Sequence, residues 1–300
     1  MTAVSDGSWR LDRARARFAR APFARWLGVA VRHLAEDRAT LVLPHRAEHM
    51  NAVGVLNGGA SASLLTMAGT LAAWTGVDLD APLQLGCVDV SVQYLAPATD
   101  EDVVAEARVL RRGRSLIFVE VAMQSEAGLP LCHGLLSYQA ADYAGQTPRR
   151  LARPALLPPP AASSPSGARR LFHGYVRKLG IEPLHESPGR VRLRMPCTDS
   201  HRDEGGRLHA GALASIVDIA AVAASWSLVP RRPGARGSTI GMQVSYPTAA
   251  AVAVLADAHV QQRSEEILFS TVHVTAGDSG QLVAMGQVSY RLLEPWPEGS

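Results

Sequence analysis

One segment of this chain occurs twice, and that repetition constrains the fold more than any other feature. Asn51 to Trp74 reads NAVGVLNGGASASLLTMAGTLAAW, and Asp203 to Trp226 reads DEGGRLHAGALASIVDIAAVAASW. The copies stand 152 residues apart at both ends, as do Pro44 and Pro196, Tyr94 and Tyr246, and Tyr138 and Tyr290. Phe118 and Phe269 are one residue out of step, which places a single deletion in the second copy, restored before its last strand. A period this long marks a duplicated domain rather than a solenoid.

Each copy reads as a glycine-containing loop running into an apolar, small-residue helix. In the first half, residues 9–26 predict a helix with Leu11, Phe18, Phe23 and Trp26 set among arginines. LGVAVRHL and RATLVLP follow as a strand pair ending at Pro44. After the central helix, roughly Ala60 to Trp74, the β-rich runs GCVDVSVQYLAPA, EDVVAEARVL, SLIFVEVAMQS and LPLCHGLLSYQA read as an antiparallel meander. The second half replays this order.

Between the halves, Ala141 to Gly167 is rich in Pro, Ser and Ala. That composition marks a linker, and sets domains at 1–140 and 169–300 with 141–168 between them. Such a linker is expected to be mobile and cut first by proteases near Arg149 to Arg153. One helix among about five strands must bury its whole circumference. Ala60, Ala62, Ala68 and Gly69, with Ala212, Ala214, Ala220 and Ala221, let a curved sheet approach closely. The expected fold is α+β: two antiparallel sheets, each wrapped around a central helix, paired as a pseudo-two-fold dimer in one chain.

Composition removes several classes of function. The formal net charge is only +3, aromatics make up 5%, and Lys178 is the single lysine, so the chain lacks the basic, aromatic-interleaved surface of a nucleic-acid binder. No apolar run is long enough to span a bilayer. Cys87, Cys132 and Cys197 are odd in number and widely spaced, against a disulfide framework or zinc site. The arginine-rich N-terminus contains Asp6 and Asp12 and lacks a secretory apolar core. The cytoplasm is the expected compartment.

Asp218 is the residue most open to chemical use. Its neighbours on the helix are Ala214, Ser215, Ala221 and Val222, so a carboxylate there has little polar company. Burial would raise its pKa and make it a better base; the alternative is an exposed edge or a backbone partner. The first helix carries Thr66 at the same position. Gly58 and Gly59 stand where a helix begins and N–H groups lack partners, or they serve only a tight turn. His201, Asp203, Glu204 and His209 match no metal-ligand spacing. Arg111, Arg112 and Arg114 form a basic turn suited to phosphates or to simple solvation.

The order N-x-x-G-x-x-[HN]-G-G, an acid nine residues after the His position, and a strand ending Y-L-x-P-A resembles the PaaI-type hotdog thioesterases. The resemblance covers roughly 20–140 and 170–292. It implies active sites across the interface, loop from one half and acid from the other. One site would combine Asn51, Asn57 and Gly58 with Asp218, with Asn57 in place of the family's usual His. Asp218 would be general base or nucleophile, Gly58 N–H the oxyanion donor, and Asn51 the group that positions water or substrate. The other would combine Asp203, His209 and Ala210 with Thr66; lacking the helix acid, it is a relic or uses Asp203 and His209 as an acid/base pair. The basic turn would lie at the CoA entrance. The implied activity is hydrolysis of an acyl thioester of CoA or of an acyl carrier protein. No metal or cofactor is implied beyond the CoA or phosphopantetheine of the substrate, and double hotdogs can pair further into dimers. A hotdog lyase or isomerase, such as a dehydratase or cyclase, and a non-catalytic acyl-binding protein are the alternatives.

Overall fold

The computed structural model describes residues 8–79, 84–141, 171–229 and 235–293. The first half contains helices α1 (Ser8–Arg20), α2 (Pro22–Leu27) and α3 (Gly58–Trp74). Its strands are β1 (Ala30–Ala35), β2 (Arg38–Leu43), β3 (Gln84–Tyr94), β4 (Val103–Arg112), β5 (Leu116–Ser125) and β6 (Pro130–Ala141). The second half repeats the pattern with α4 (Gly174–Lys178), β7 (Glu182–Ser187), β8 (Arg190–Met195) and α5 (Ala210–Trp226). It ends with β9 (Arg236–Ser245), β10 (Val254–Ser264), β11 (Ile267–Ala276) and β12 (Leu282–Leu293). The expected linker, including Arg149 to Arg153, lies outside the described residues.

The expected single N-terminal helix is two. Ala21 is extended (φ −61°, ψ 115°) because Pro22 follows it and disfavours the helical conformation at the residue before. The strands form one antiparallel sheet in the order β1-β2-β4-β5-β6-β3-β9-β12-β11-β10-β8-β7. Only β4, β5 and β6 make the expected meander. After α3 the chain runs along β3 at the inner edge, then crosses back to place β4 beside β2. The two expected sheets are therefore halves of one, joined edge to edge by β3 and β9.

The join shows the symmetry directly. Ser91 pairs with Gln243, its own counterpart in the repeat, with Val90 opposite Val244 and Val92 opposite Met242 on either side. A two-fold axis must pass through that pair. It also passes between the central helices, where Ser63 Oγ lies 3.1 Å from Ser215 Oγ, again the same position in each repeat.

Each central helix is enclosed by its half of the sheet and by the other helix. Every residue of Gly59–Trp74 except Thr70 is buried. The sheet approaches α3 at Gly134, where an added Cβ would lie 2.6 Å from Leu65, and it approaches α5 at the equivalent Gly286, against Val217. A side chain at either strand position would have to displace the helix side chain resting on it.

Candidate active site

The loops before the central helices are built alike. Asn51 Oδ1 accepts from the N–H groups of Val53 (3.0 Å) and Val55 (3.1 Å). Asp203 Oδ1 does the same for Gly205 and Arg207 (both 2.9 Å), and its Oδ2 pairs with Arg207 Nε at 3.1 Å. Both side chains hold their own loops in shape. The expected role of Asn51 in orienting water is thus not available to its carbonyl oxygen, which is already occupied.

The helices then start on side-chain caps. Asn57 Oδ1 accepts from Gly59 N–H at 2.9 Å, and His209 Nδ1 accepts from Gly211 N–H at 2.9 Å. A helix leaves its first N–H groups without intrahelical partners. One cap satisfies one of them. The N–H of Gly58 and that of Ala210 meet no acceptor among the described residues. The peptide planes beside them are held from the other face: Tyr94 Oη donates to Gly58 O (3.0 Å), and Tyr246 Oη donates to Ala210 O (3.1 Å).

Asp218 comes to this point from the opposite half. A methyl group built on Gly58 would lie 2.7 Å from Asp218 Oδ2, so the carboxylate rests directly against the glycine. Asp218 is 3% exposed. Burial raises its pKa to about 6, while the Thr239 hydroxyl and the Gly59 N–H pull it back down. Thr239 Oγ1 donates to Asp218 Oδ1 at 2.7 Å. The first cleft therefore brings together a raised-pKa carboxylate and an unpaired N–H, with Asn57 beside them.

The second cleft differs at each of these places. Thr66 is fully buried, and its Oγ1 donates to Ala62 O at 2.7 Å, so the hydroxyl is committed to its own helix. Ala210 replaces Gly58, and Cys87 stands at the repeat position of Thr239. Burial pushes the Cys87 thiol well up, away from thiolate character. An Asp203–His209 dyad is not formed. Asp203 is spent on its loop and Arg207, and His209 Nδ1 on Gly211. Burial lowers the His209 pKa, the nearby Asp203 and Glu204 only partly opposing it.

A family model described as the thioesterase superfamily matches residues 53–132. A candidate esterase of Halobacterium salinarum is 30% identical over 129 residues, which cover 40% of this chain and 85% of that protein. The chain belongs to the hotdog thioesterase superfamily. Human acyl-coenzyme A thioesterase 13 is 29% identical over 116 residues, covering 38% of this chain and 81% of that one. Over residues 168–292 the matching model is a domain of unknown function, DUF4442. A candidate thioesterase structure from Novosphingobium aromaticivorans superposes with a TM-score of 0.64 at 22% identity, covering 88% of this chain and 99% of that one. A hot dog fold protein from Alicyclobacillus acidocaldarius gives 0.62 at 18%, covering 89% and 96%. These neighbours span the whole double fold.

One expectation for this thioesterase needs correction. Arg112 is not free to meet a phosphate. It pairs with Asp37 and donates to Ala73 O (3.2 Å), closing the C-terminal end of α3. Arg111 and Arg114 are exposed on the same hairpin. That hairpin lies at the far end of a 17-residue helix from Gly58, about 25 Å away at 1.5 Å per residue. Among the described residues no group of three or more His, Cys, Asp or Glu could hold a metal. The sequence reading missed Thr239 and the two cap-supporting tyrosines. Aligning the halves position by position would have exposed Thr239, because Gly58/Ala210, Asp218/Thr66 and Thr239/Cys87 change together between the repeats.

Proposed function

We propose that this thioesterase hydrolyses an acyl thioester at one centre, the cleft between the first-half loop and Asp218. The observation that carries the reading is the contact of the buried Asp218 carboxylate with Gly58, whose N–H meets no acceptor among the described residues. A thioester carbonyl accepting from that N–H would set its carbon beside Oδ2. Two routes use this arrangement. In the first, Asp218 takes a proton from water as the water oxygen bonds to the carbonyl carbon. The Gly58 N–H stabilises the resulting oxyanion, the C–S bond breaks, and the thiolate leaves with the proton returned by Asp218. In the second, the carboxylate attacks directly, expels the thiolate and forms an anhydride that water then opens.

The name of the human relative supports CoA as the carrier, with an acyl carrier protein as the other thiol that presents the same phosphopantetheine arm. No helix among the described residues is long and apolar enough to cross a membrane, and the three cysteines are free, which supports the cytoplasmic assignment. Exposed Phe118, Leu135 and Phe269 on the outer sheet face support further pairing into a dimer of double hotdogs. The test is turnover of a panel of acyl-CoA and acyl-carrier thioesters, following free thiol and product mass together. Asp218→Asn keeps the shape and removes the charge; it should lower turnover by about 10²-fold or more, the usual size of a general-base contribution. Full activity in that variant, with its fold intact by thermal melting, would remove the proposed centre.

A further inference from the structure

The positive charge of this chain is concentrated in one short stretch. Residues 8–27 hold six arginines against Asp12, a net +5 in a chain whose total is +3, so the other 280 residues are net −2. Most of the stretch is α1, which buries Ala14 and Phe18 against the core. The helical period puts Trp9, Arg13, Ala16 and Arg20 on another side, and all four are exposed. The guanidinium carbons of Arg10 and Arg13 lie 5.3 and 5.5 Å from the Trp9 ring centre. Arg25 is exposed on α2. Among the described residues Arg15, Arg20 and Arg25 form no ion pair, whereas Arg32, Arg108, Arg192 and Arg291 each pair with a carboxylate. Both helices are fixed to the loops that carry the clefts. Arg17 bonds Glu204 at 2.8 Å, and Phe23 N–H donates to Arg202 O at 3.2 Å. Trp26 O accepts from Lys178 Nζ at 3.2 Å, and the same ammonium bonds Glu48, just ahead of the Gly58 loop, at 2.6 Å.

Such a surface calls for an acidic partner. Arginine suits carboxylates because its planar fork donates to both oxygens. From Trp9 to Arg20 the stripe runs about 17 Å at 1.5 Å per residue, a length that fits a second helix laid along it, and Ala16 in its middle permits close approach. The apolar face of α1 is spent on the core, which leaves Trp9 alone to enter a bilayer and disfavours a membrane. We propose that α1 and Arg25 dock the acidic helical face of an acyl carrier protein, whose thioester-bearing arm then reaches the first cleft. Delivery to that cleft rests on the proposed function; the docking surface stands on its own charge and shape.

The experiment pairs calorimetric binding of a phosphopantetheinylated acyl carrier protein with turnover of the same acyl chains on that carrier and on CoA. The full chain is compared with Arg20→Gln/Arg25→Gln and with Arg190→Gln/Arg236→Gln, which removes the same charge from strands of the second half. The first variant should weaken carrier binding by about 5-fold or more, the size expected for two exposed ion pairs, and lower kcat/KM on acyl-carrier thioesters in step. Its kcat/KM on acyl-CoA and its melting temperature should not change. The second variant should stay within about 2-fold on every substrate. No carrier binding by the unaltered protein, with acyl-CoA turnover intact, would overturn the docking surface and leave the first cleft standing. Equal losses in the two variants would overturn it as well, since net charge alone would then explain binding. An equal loss on acyl-CoA would mean that the arginines serve CoA phosphates and not a carrier. Capture by vesicles of equal parts phosphatidylcholine and phosphatidylglycerol, without carrier binding, would replace the carrier with a membrane. Arginine-dependent carrier binding without turnover of any thioester would sustain the surface and sink the hydrolytic reading instead.

Discussion

Asp218 keeps a charge in a place that resists one. A carboxylate buried among alanines favours its protonated form, and Thr239 offsets part of that cost with a single donated hydrogen bond. Both proposed routes need the carboxylate, so turnover should fall as pH drops through about 6. Thr239→Val removes the donor and leaves a similar shape. A hydrogen bond to a charged group is worth about 1.5–3 kcal/mol, so the acid inflection should move up by about 1 pH unit or more, with a lower rate at pH 6 than at pH 8. A pH–kcat/KM profile decides it; an unmoved inflection would show that Thr239 does not tune the acid. Asp218 was legible in the sequence as an acid in an apolar helix. Thr239 taken alone was not: a threonine in a β-rich run gains a signal only from its exchange for Cys87 in the other repeat, and its place 2.7 Å from the carboxylate comes from the fold.

The two central helices touch where glycine permits it. Ser63 Oγ and Ser215 Oγ lie within 2.8–3.0 Å of Gly59 O and Gly211 O, and Tyr175 Oη caps both serines at 3.0 Å. The repeat position of Tyr175 is Phe23, so this hydroxyl is contributed by one half only. A Cβ on Gly211 would fall 2.8 Å from the Ser63 Cα, which is backbone and cannot turn aside. Gly211→Ala should therefore push the helices apart and destabilise the chain by about 1–3 kcal/mol, the usual cost of overpacking. Gly86→Ala on β3, with nothing within 4 Å, is the matched control and should stay within about 0.5 kcal/mol. Urea midpoints of the pair would test it, and equal midpoints would mean the crossing is looser than drawn. That these helices begin at glycine-containing loops was readable beforehand. That the glycines serve the crossing as well as the cap was not, since the partner backbone is 148 residues away.

At the scale of the molecule, the fused two-fold makes each half depend on the other. Alone, either half would bare the inner edge of β3 or β9 and the contact face of its central helix, surfaces that invite pairing with another chain. Residues 1–141 and 169–300 expressed together should co-purify as one species. Expressed separately they should aggregate or self-pair; two soluble monomers would contradict the interdependence of the halves. The sequence by itself determined the duplication, the buried small-residue helices and the asymmetry of Asp218 against Thr66, because register and hydrophobic pattern are properties of the chain read in one dimension. Only the tertiary structure decided that Asn51 serves its loop, that Arg112 closes α3, that Asp203 and His209 do not pair, and that Thr239 attends the acid. Each of these depends on which neighbour claims a hydrogen bond first, and that competition is settled in space between groups far apart in the chain.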